Sequence, residues 1–300
     1  MSIVVVGTVA YDSIITTSGS IDEALGGSAT YFSVASSIFT KTKIVATVGE
    51  DFSETYFSLF KGRGIDIAGI DVVPGRTFRW KGKYSKNLNE RTTLETQLNV
   101  LKKVKVKLPA SYTTCSILFL ANIDPEIQLE VLSQMKKTKF IAMDTMNFWI
   151  TSKAKKLKEL LHQVDLLCIN EEEAELLSGE DNIVKSCKKI LMMGPSVVII
   201  KRGSYGAILF HDIHICSMPA YPLENVMDPT GAGDSFAGGF LGYLSTLKRF
   251  SINDLRKALA YGNMVASYTV EDFSVNKLVS IHFEDIESRY ELFKSITAIC

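Results

Sequence analysis

Three hundred residues, 46% of them hydrophobic, suffice for one large α/β core or two small ones. Thirty-three basic and 33 acidic side chains cancel to a formal charge of zero, so global electrostatics give no support to a nucleic-acid or anionic-membrane partner. Five cysteines (Cys115, Cys168, Cys187, Cys216, Cys300) contain no CxxC pair, and with four scattered histidines they give neither a zinc pattern nor a disulfide framework. Reduced, mostly buried thiols are expected. No basic leader precedes the first apolar run and no 18-residue apolar stretch occurs, so a soluble, cytoplasmic protein is expected.

In chain order, Ile3 to Val6 reads as a buried central strand ending at Gly7. Asp12 follows in a second extended segment, just beyond the carboxyl end of the first strand, where open α/β sheets bind ligands. It could equally be a turn residue. Gly26-Gly27 precede a helix from about Thr30 to Phe39 and either expose N–H donors or make a plain tight turn. Lys43 to Val48 is a strand, and Gly49-Glu50-Asp51-Phe52 opens a helix to about Lys61, its acids favoured by the helix dipole. Ile65 to Val73 and Thr77 to Ser85 are extended, the latter alternating aromatic and polar residues, and 87–106 is polar and rich in Thr and Lys.

From Cys115 strand and helix patterns alternate. Strands are predicted over Ser116–Ala121, Lys139–Met143, Asp165–Ile169, Val197–Lys201 and Ala207–Phe210. Helices are predicted over Pro125–Lys136, Thr151–His162, Glu171–Leu177 and Asn182–Met192. This rhythm predicts an α/β fold with a mostly parallel sheet covered on both faces. No linker or repeat divides the chain, so a single domain over 1–300 is expected.

The chemistry concentrates in VMDPTGAGDSFAGGFLGYL, Val226 to Leu244. Asp228-Pro229 arrives extended, Gly231-Ala232-Gly233 strips side-chain bulk from a turn, and a helical pattern begins at Asp234. Such a helix start favours anions. Asp234 fits the chemistry if it removes a proton from a hydroxyl attacking a bound phosphate, and it also fits an ordinary helix cap. Asn170 and Glu173 share the first turn of another helix, where capping is the alternative to a role beside magnesium. Lys201 ends a strand before glycines Gly203 and Gly206, and is either a phosphate partner or a solvated lysine. Leu255 to Thr269 is a helix of small residues expected to pack on the one beginning at Asp234.

DPTGAGDSFAGGF closely resembles the C-terminal signature of the ribokinase-like (PfkB) carbohydrate and nucleoside kinases, and Gly26-Gly27 resembles their N-terminal signature, with Tyr31 where the family usually has Asn. The resemblance spans almost the whole chain and implies a ribokinase-like three-layer α/β/α fold with a small β-sheet lid, from segments at about 11–18 and 71–100. Phe78, Trp80 and Tyr84 would be the lid's apolar face. An edge hairpin or a dimer contact is the alternative, because such lids often pair into homodimers.

The resemblance further implies an ATP-dependent kinase acting on a hydroxyl of a sugar or, second, a nucleoside. Asp234 would be the base and Gly231, Ala232 and Gly233 the anion hole. Asp12, Gly26, Gly27 and Tyr31 would hold the substrate. Lys201, Gly203, Gly206 and Asn263 would line ATP, with core packing the alternative for Asn263, and Glu173 with Asn170 would organise Mg2+ through water. Activation by a monovalent cation (K+), frequent among relatives, is left open because Val270-Glu271-Asp272-Phe273 departs from the small residues common there. A non-catalytic nucleotide or metabolite binder retaining the fold is the other class of reading. A dinucleotide oxidoreductase lacks an early fingerprint.

Overall fold

A computed structural model describes residues 1–298, so Cys300 lies outside the described residues. Among the described residues the chain forms a nine-stranded sheet and a separate four-stranded one. β1 (Ile3–Val6) sits inside the large sheet, flanked in parallel by β4 (Thr42–Gly49) and β8 (Ile117–Leu120). Its four residues are at most 1% exposed, each worth about 1.5–3 kcal/mol of burial, which is why the run carries no polar alternation. Beyond β4 lies β5 (Asp66–Val73). On the other side follow β9 (Phe140–Met143), β10 (Leu166–Asn170) and β11 (Val197–Lys201), all parallel. The sheet is then extended antiparallel by β12 (Ala207–His211) and β13 (His214–Met218); β13 was not expected from sequence.

Two hydrophobic clusters lie on opposite faces of this sheet, as alternate residues of β1 show. Ile3 and Val5 join one cluster and Val4 and Val6 the other. The first contains α1 (Ser28–Ser37), α8 (Ala232–Ser245) and α9 (Ile252–Thr269). Small residues let these backbones close up. A methyl on Gly238 would stand 2.7 Å from the Phe32 carbonyl, and one on Gly262 would stand 3.0 Å from the Phe236 carbonyl.

Two helices differ from expectation. Gly49 to Asp51 do not open a helix: β4 runs to Gly49, and α2 (Glu54–Gly62) starts only after the Ser53 side chain accepts from the Thr55 N–H. Asp51 accepts from both the N–H and the hydroxyl of Thr77 at 2.7 Å and pairs with Arg79 at 2.8 Å, which ties it to another segment. The helix expected from Thr151 breaks at Lys153 into α4 (Asn147–Ser152) and α5 (Ala154–Leu161). The break lets Lys153 pair with Asp124 at 3.2 Å and Glu126 at 3.1 Å.

The small sheet is ordered β3 (Gly19–Gly26), β2 (Ala10–Thr16), β6 (Arg79–Tyr84), β7 (Arg91–Gln97). Its segments therefore reach to Gly26, and residues 71–73 belong to β5 of the large sheet. Cys115, Cys168 and Cys187 are buried free thiols, and Cys216 is half-buried. Among the described residues no helix is long and apolar enough to cross a membrane.

Candidate active site

Parallel strands deliver their carboxyl ends to one edge, and a row of polar residues stands there: Asp144 just past β9, Asn170 ending β10, and Lys201 ending β11 in register with Asn170. Above this row α8 begins. Gly231, its N-cap, has φ 75°, a left-handed value that L side chains rarely adopt, and its missing side chain leaves room for the Tyr31 ring. The Thr230 N–H donates to Asp228 Oδ1 at 2.9 Å, which shapes the turn before it. The Ala232 N–H donates to the Pro229 carbonyl at 3.2 Å. Gly233 lies against Lys201, whose Nζ would be 3.0 Å from a methyl placed on it.

The charges there are unequal in number. Lys201 Nζ pairs with Asp144 Oδ2 at 2.9 Å, both largely buried. Burial alone would make the lysine release its proton, but Asp144, with Cys168, Glu173 and Asp234, outweighs burial and holds it charged. The acids shift upward instead. Burial, then Asp144, pushes Asp234 up to about 8 against the pull of Lys201. Burial, then Asp144, pushes Glu173 up to about 7. Asp234 is thus a half-buried carboxyl whose raised value lets it exchange a proton near neutral pH.

Asn170 and Glu173 are brought together as a full capping box. The Asn170 N–H donates to Glu173 Oε2 and the Glu173 N–H to Asn170 Oδ1, both at 2.8 Å. Capping thus accounts for both residues. It does not exclude magnesium: Glu173 is 8% exposed in a site with an excess of acids, and its second oxygen is not part of the box. Among the described residues no three His, Cys, Asp or Glu side chains gather as a metal cage.

Asp12, whose charge also acts on Asp234, is 5% exposed and pushed up to about 7 by burial. Its Oδ2 accepts a long bond from the Gly27 N–H at 3.4 Å. A methyl on Gly26 would overlap the Asp12 carboxylate, and one on Gly27 would overlap the Thr8 carbonyl. Both glycines are therefore dictated by close approach. Tyr31 is 1% exposed, and its hydroxyl has no partner among the described residues. Asp228 Oδ2 and Ser235 Oγ are likewise unpartnered. Three orphaned buried polar atoms around one turn mark where a ligand or ion would complete the bonding.

Of the residues expected along a nucleotide, Gly203 (φ 54°) and Gly206 (φ 89°) form a turn after β11. Asn263 donates to the Pro219 carbonyl at 3.2 Å and is 6% exposed, so it is spent on tying a loop to α9. Sequence reasoning missed Asp144, although its place after an apolar strand was a usable signal. It also missed the Thr230 hydroxyl, which donates to the Tyr84 hydroxyl at 3.1 Å and joins the small sheet to the turn.

With this geometry in hand, a family model described as "pfkB family carbohydrate kinase" matches residues 1–281. A cytidine kinase of Thermococcus kodakarensis is 28% identical over 251 residues, 80% of this chain and 87% of that one. A nucleoside kinase of Methanothermobacter thermautotrophicus is 26% identical over 268 residues, 82% of this chain and 78% of that one. Among solved structures, a putative ribokinase II from E. coli in complex with ATP and Mg2+ superposes with a TM-score of 0.80 at 19% identity, covering 97% of this chain and 99% of that chain.

Proposed function

Because the chain belongs to the pfkB family of carbohydrate kinases, we propose that it transfers the γ-phosphoryl group of ATP to a hydroxyl, a primary CH2OH, of a nucleoside. The observation that carries the reading is Asp234 at the start of α8, next to a Gly233 that lies against Lys201, with its carboxyl raised by burial and by neighbouring acids, Asp12 among them. Asp12 holds acceptor hydroxyls at the closely packed Gly26-Gly27 turn. Asp234 receives the proton of the attacking hydroxyl. Backbone N–H groups of Gly231 and Gly233, with Lys201, stabilise charge on the transferred group. Lys201, Gly203 and Gly206 line the nucleotide. The small sheet acts as a lid that excludes water.

Magnesium, held through water by Glu173, would neutralise charge on the ATP phosphates. The unpartnered, buried Asp228 Oδ2 suits a monovalent cation.

Sugar came first and nucleoside second from the sequence. The order is reversed because the two relatives matching about four-fifths of this chain are nucleoside kinases, cytidine kinase among them. The test is a panel of nucleosides and free sugars with ATP and Mg2+, followed by ADP release. Cytidine or another nucleoside should turn over best. Asp234→Asn should lower kcat by about 10²–10⁴-fold. A variant with near-full turnover would remove Asp234 as base, and a sugar outpacing every nucleoside would remove the acceptor assignment.

A further inference from the structure

We propose that Arg91, carried by the small sheet, is a further catalytic residue: its guanidinium reaches the phosphoryl group as it passes from ATP to the acceptor. The inference rests on the kinase reading above and adds a residue that the sequence gave no reason to single out.

The β6–β7 hairpin is fixed at three places. Trp80 is in register with Asp12, so its inner face begins over the acceptor side. Tyr84 reaches the Thr230 hydroxyl, immediately before the Gly231 turn. Asn89, in the loop between the strands, rests on Gly203, where a methyl would overlap its Oδ1 and stand 3.1 Å from its Cγ. Arg91 follows Asn89 by two residues and opposes Tyr84 across the ladder, so the two side chains share the inner face. It therefore starts between the nucleotide turn and the anion turn.

The cations on β6 are otherwise disposed. Arg79 is engaged by Glu23 at 2.7 Å and Asp51 at 2.8 Å, and Lys81 and Lys83 alternate to the opposite face from Tyr84. Among the described residues Arg91 holds no ion pair, and its Cζ lies 5.3 Å from the Trp80 ring centre. Its charge is felt by Asp12 at the acceptor end, by Glu173 at the metal end and by Tyr84 between them.

Chemistry supplies the need. In the transfer the acceptor oxygen bonds to the γ-phosphorus as the bond to the β–γ bridging oxygen breaks. The acceptor proton goes to Asp234, and the electron pair leaves with ADP. Negative charge gathers on the bridging and equatorial oxygens, while the site offers several carboxylates and Lys201 as its other cation. A planar guanidinium can donate to two such oxygens at once, and its own bonds do not change.

The experiment compares wild type, Arg91→Ala, Arg91→Lys, Asp234→Asn and the outward-facing Lys83→Ala on whichever acceptor the panel identifies. Arg91→Ala is expected to lower kcat by about 10²–10³-fold with little change in acceptor KM, and Arg91→Lys to recover only part of it. Added guanidinium ion should restore turnover to Arg91→Ala and do nothing for Asp234→Asn. Lys83→Ala should match wild type. If Arg91→Ala keeps kcat within about threefold of wild type while Asp234→Asn is inactive, Arg91 is not catalytic and the kinase reading stands. A loss confined to KM for ATP overturns the proposal in the same way. Wild type inactive on every acceptor overturns both.

Discussion

Replacing Gly26 with alanine tests the acceptor site without touching a charged residue. The φ of Gly26 lies outside the left-handed region, so the backbone accepts alanine freely. The added methyl would overlap Asp12 Oδ2 and Cγ and stand 2.8 Å from Asp12 Cβ, whereas 3.4–4 Å is ordinary contact. Clearing it moves the carboxylate by on the order of 1 Å, a displacement that can cost about 100-fold at a reacting centre. The lost interaction is a hydrogen bond to a charged group, about 1.5–3 kcal/mol, or roughly 10–150-fold in kcat/KM for the acceptor. Steady-state kinetics at saturating ATP would measure it, with ADP affinity from thermal shift as the control that should not move. An acceptor kcat/KM within about threefold of wild type would refute Asp12 as the acceptor's anchor. Gly27→Ala makes the contrast: φ 95° and overlap with the Thr8 carbonyl should destabilise the fold itself and lower Tm.

A base must be unprotonated, so kcat/KM should rise with pH through a midpoint between about 7 and 8, set by Asp234 near 8 and Asp12 near 7; a flat profile across that range would contradict both assignments. The same raised values mean that the folded, ligand-free protein keeps protons the unfolded chain has lost. Stability from these groups is thus present at acid pH and lost as pH rises from about 4 to about 8, and Tm at low ionic strength should follow, after allowance for other groups by comparison with Asp12→Asn. Lys201→Met leaves buried Asp144 unpaired and should cost about 3–5 kcal/mol in urea unfolding, part of it recovered by adding Asp144→Asn. Gly231→Ala meets both the left-handed φ and the Tyr31 ring, and should lower kcat more than the Gly26→Ala change while costing about 1–3 kcal/mol of stability.

Most strands of the large sheet were legible as apolar runs with no competing pattern, as in Val197–Lys201, whereas β13, HICSM at the sheet edge, was not. β3 was not, because GSIDEALG is exposed for most of its length and shows no period of two. The break at Lys153 is set by partners on another helix, Asp124 and Glu126, which no local window contains. Asp234 and the paired glycines were singled out by motif, and Asp12 by its place after the first strand together with the resemblance, all of them signals that a local stretch of sequence contains. Such a stretch could not place Asp144 against Lys201, or Asp51 against Thr77, because those contacts depend on which strands lie side by side. Nor could it separate the capping box of Asn170 and Glu173 from a metal role, since the same spacing serves either.

The position of Tyr31 carries a consequence for how the two substrates meet. It belongs to α1, which starts at the acceptor-side glycines, yet its ring lies against Gly231 at the start of α8. One buried aromatic thus links the two turns. A nucleotide that settles the Gly231 turn constrains the ring, and the ring constrains the turn that Asp12 shares with Gly26. Linkage then requires the effect to be mutual: by whatever factor ATP alters affinity for the acceptor, the acceptor alters affinity for ATP. On the proposed function, the two halves of the site would act as one cooperative unit, with Tyr31 as the joint.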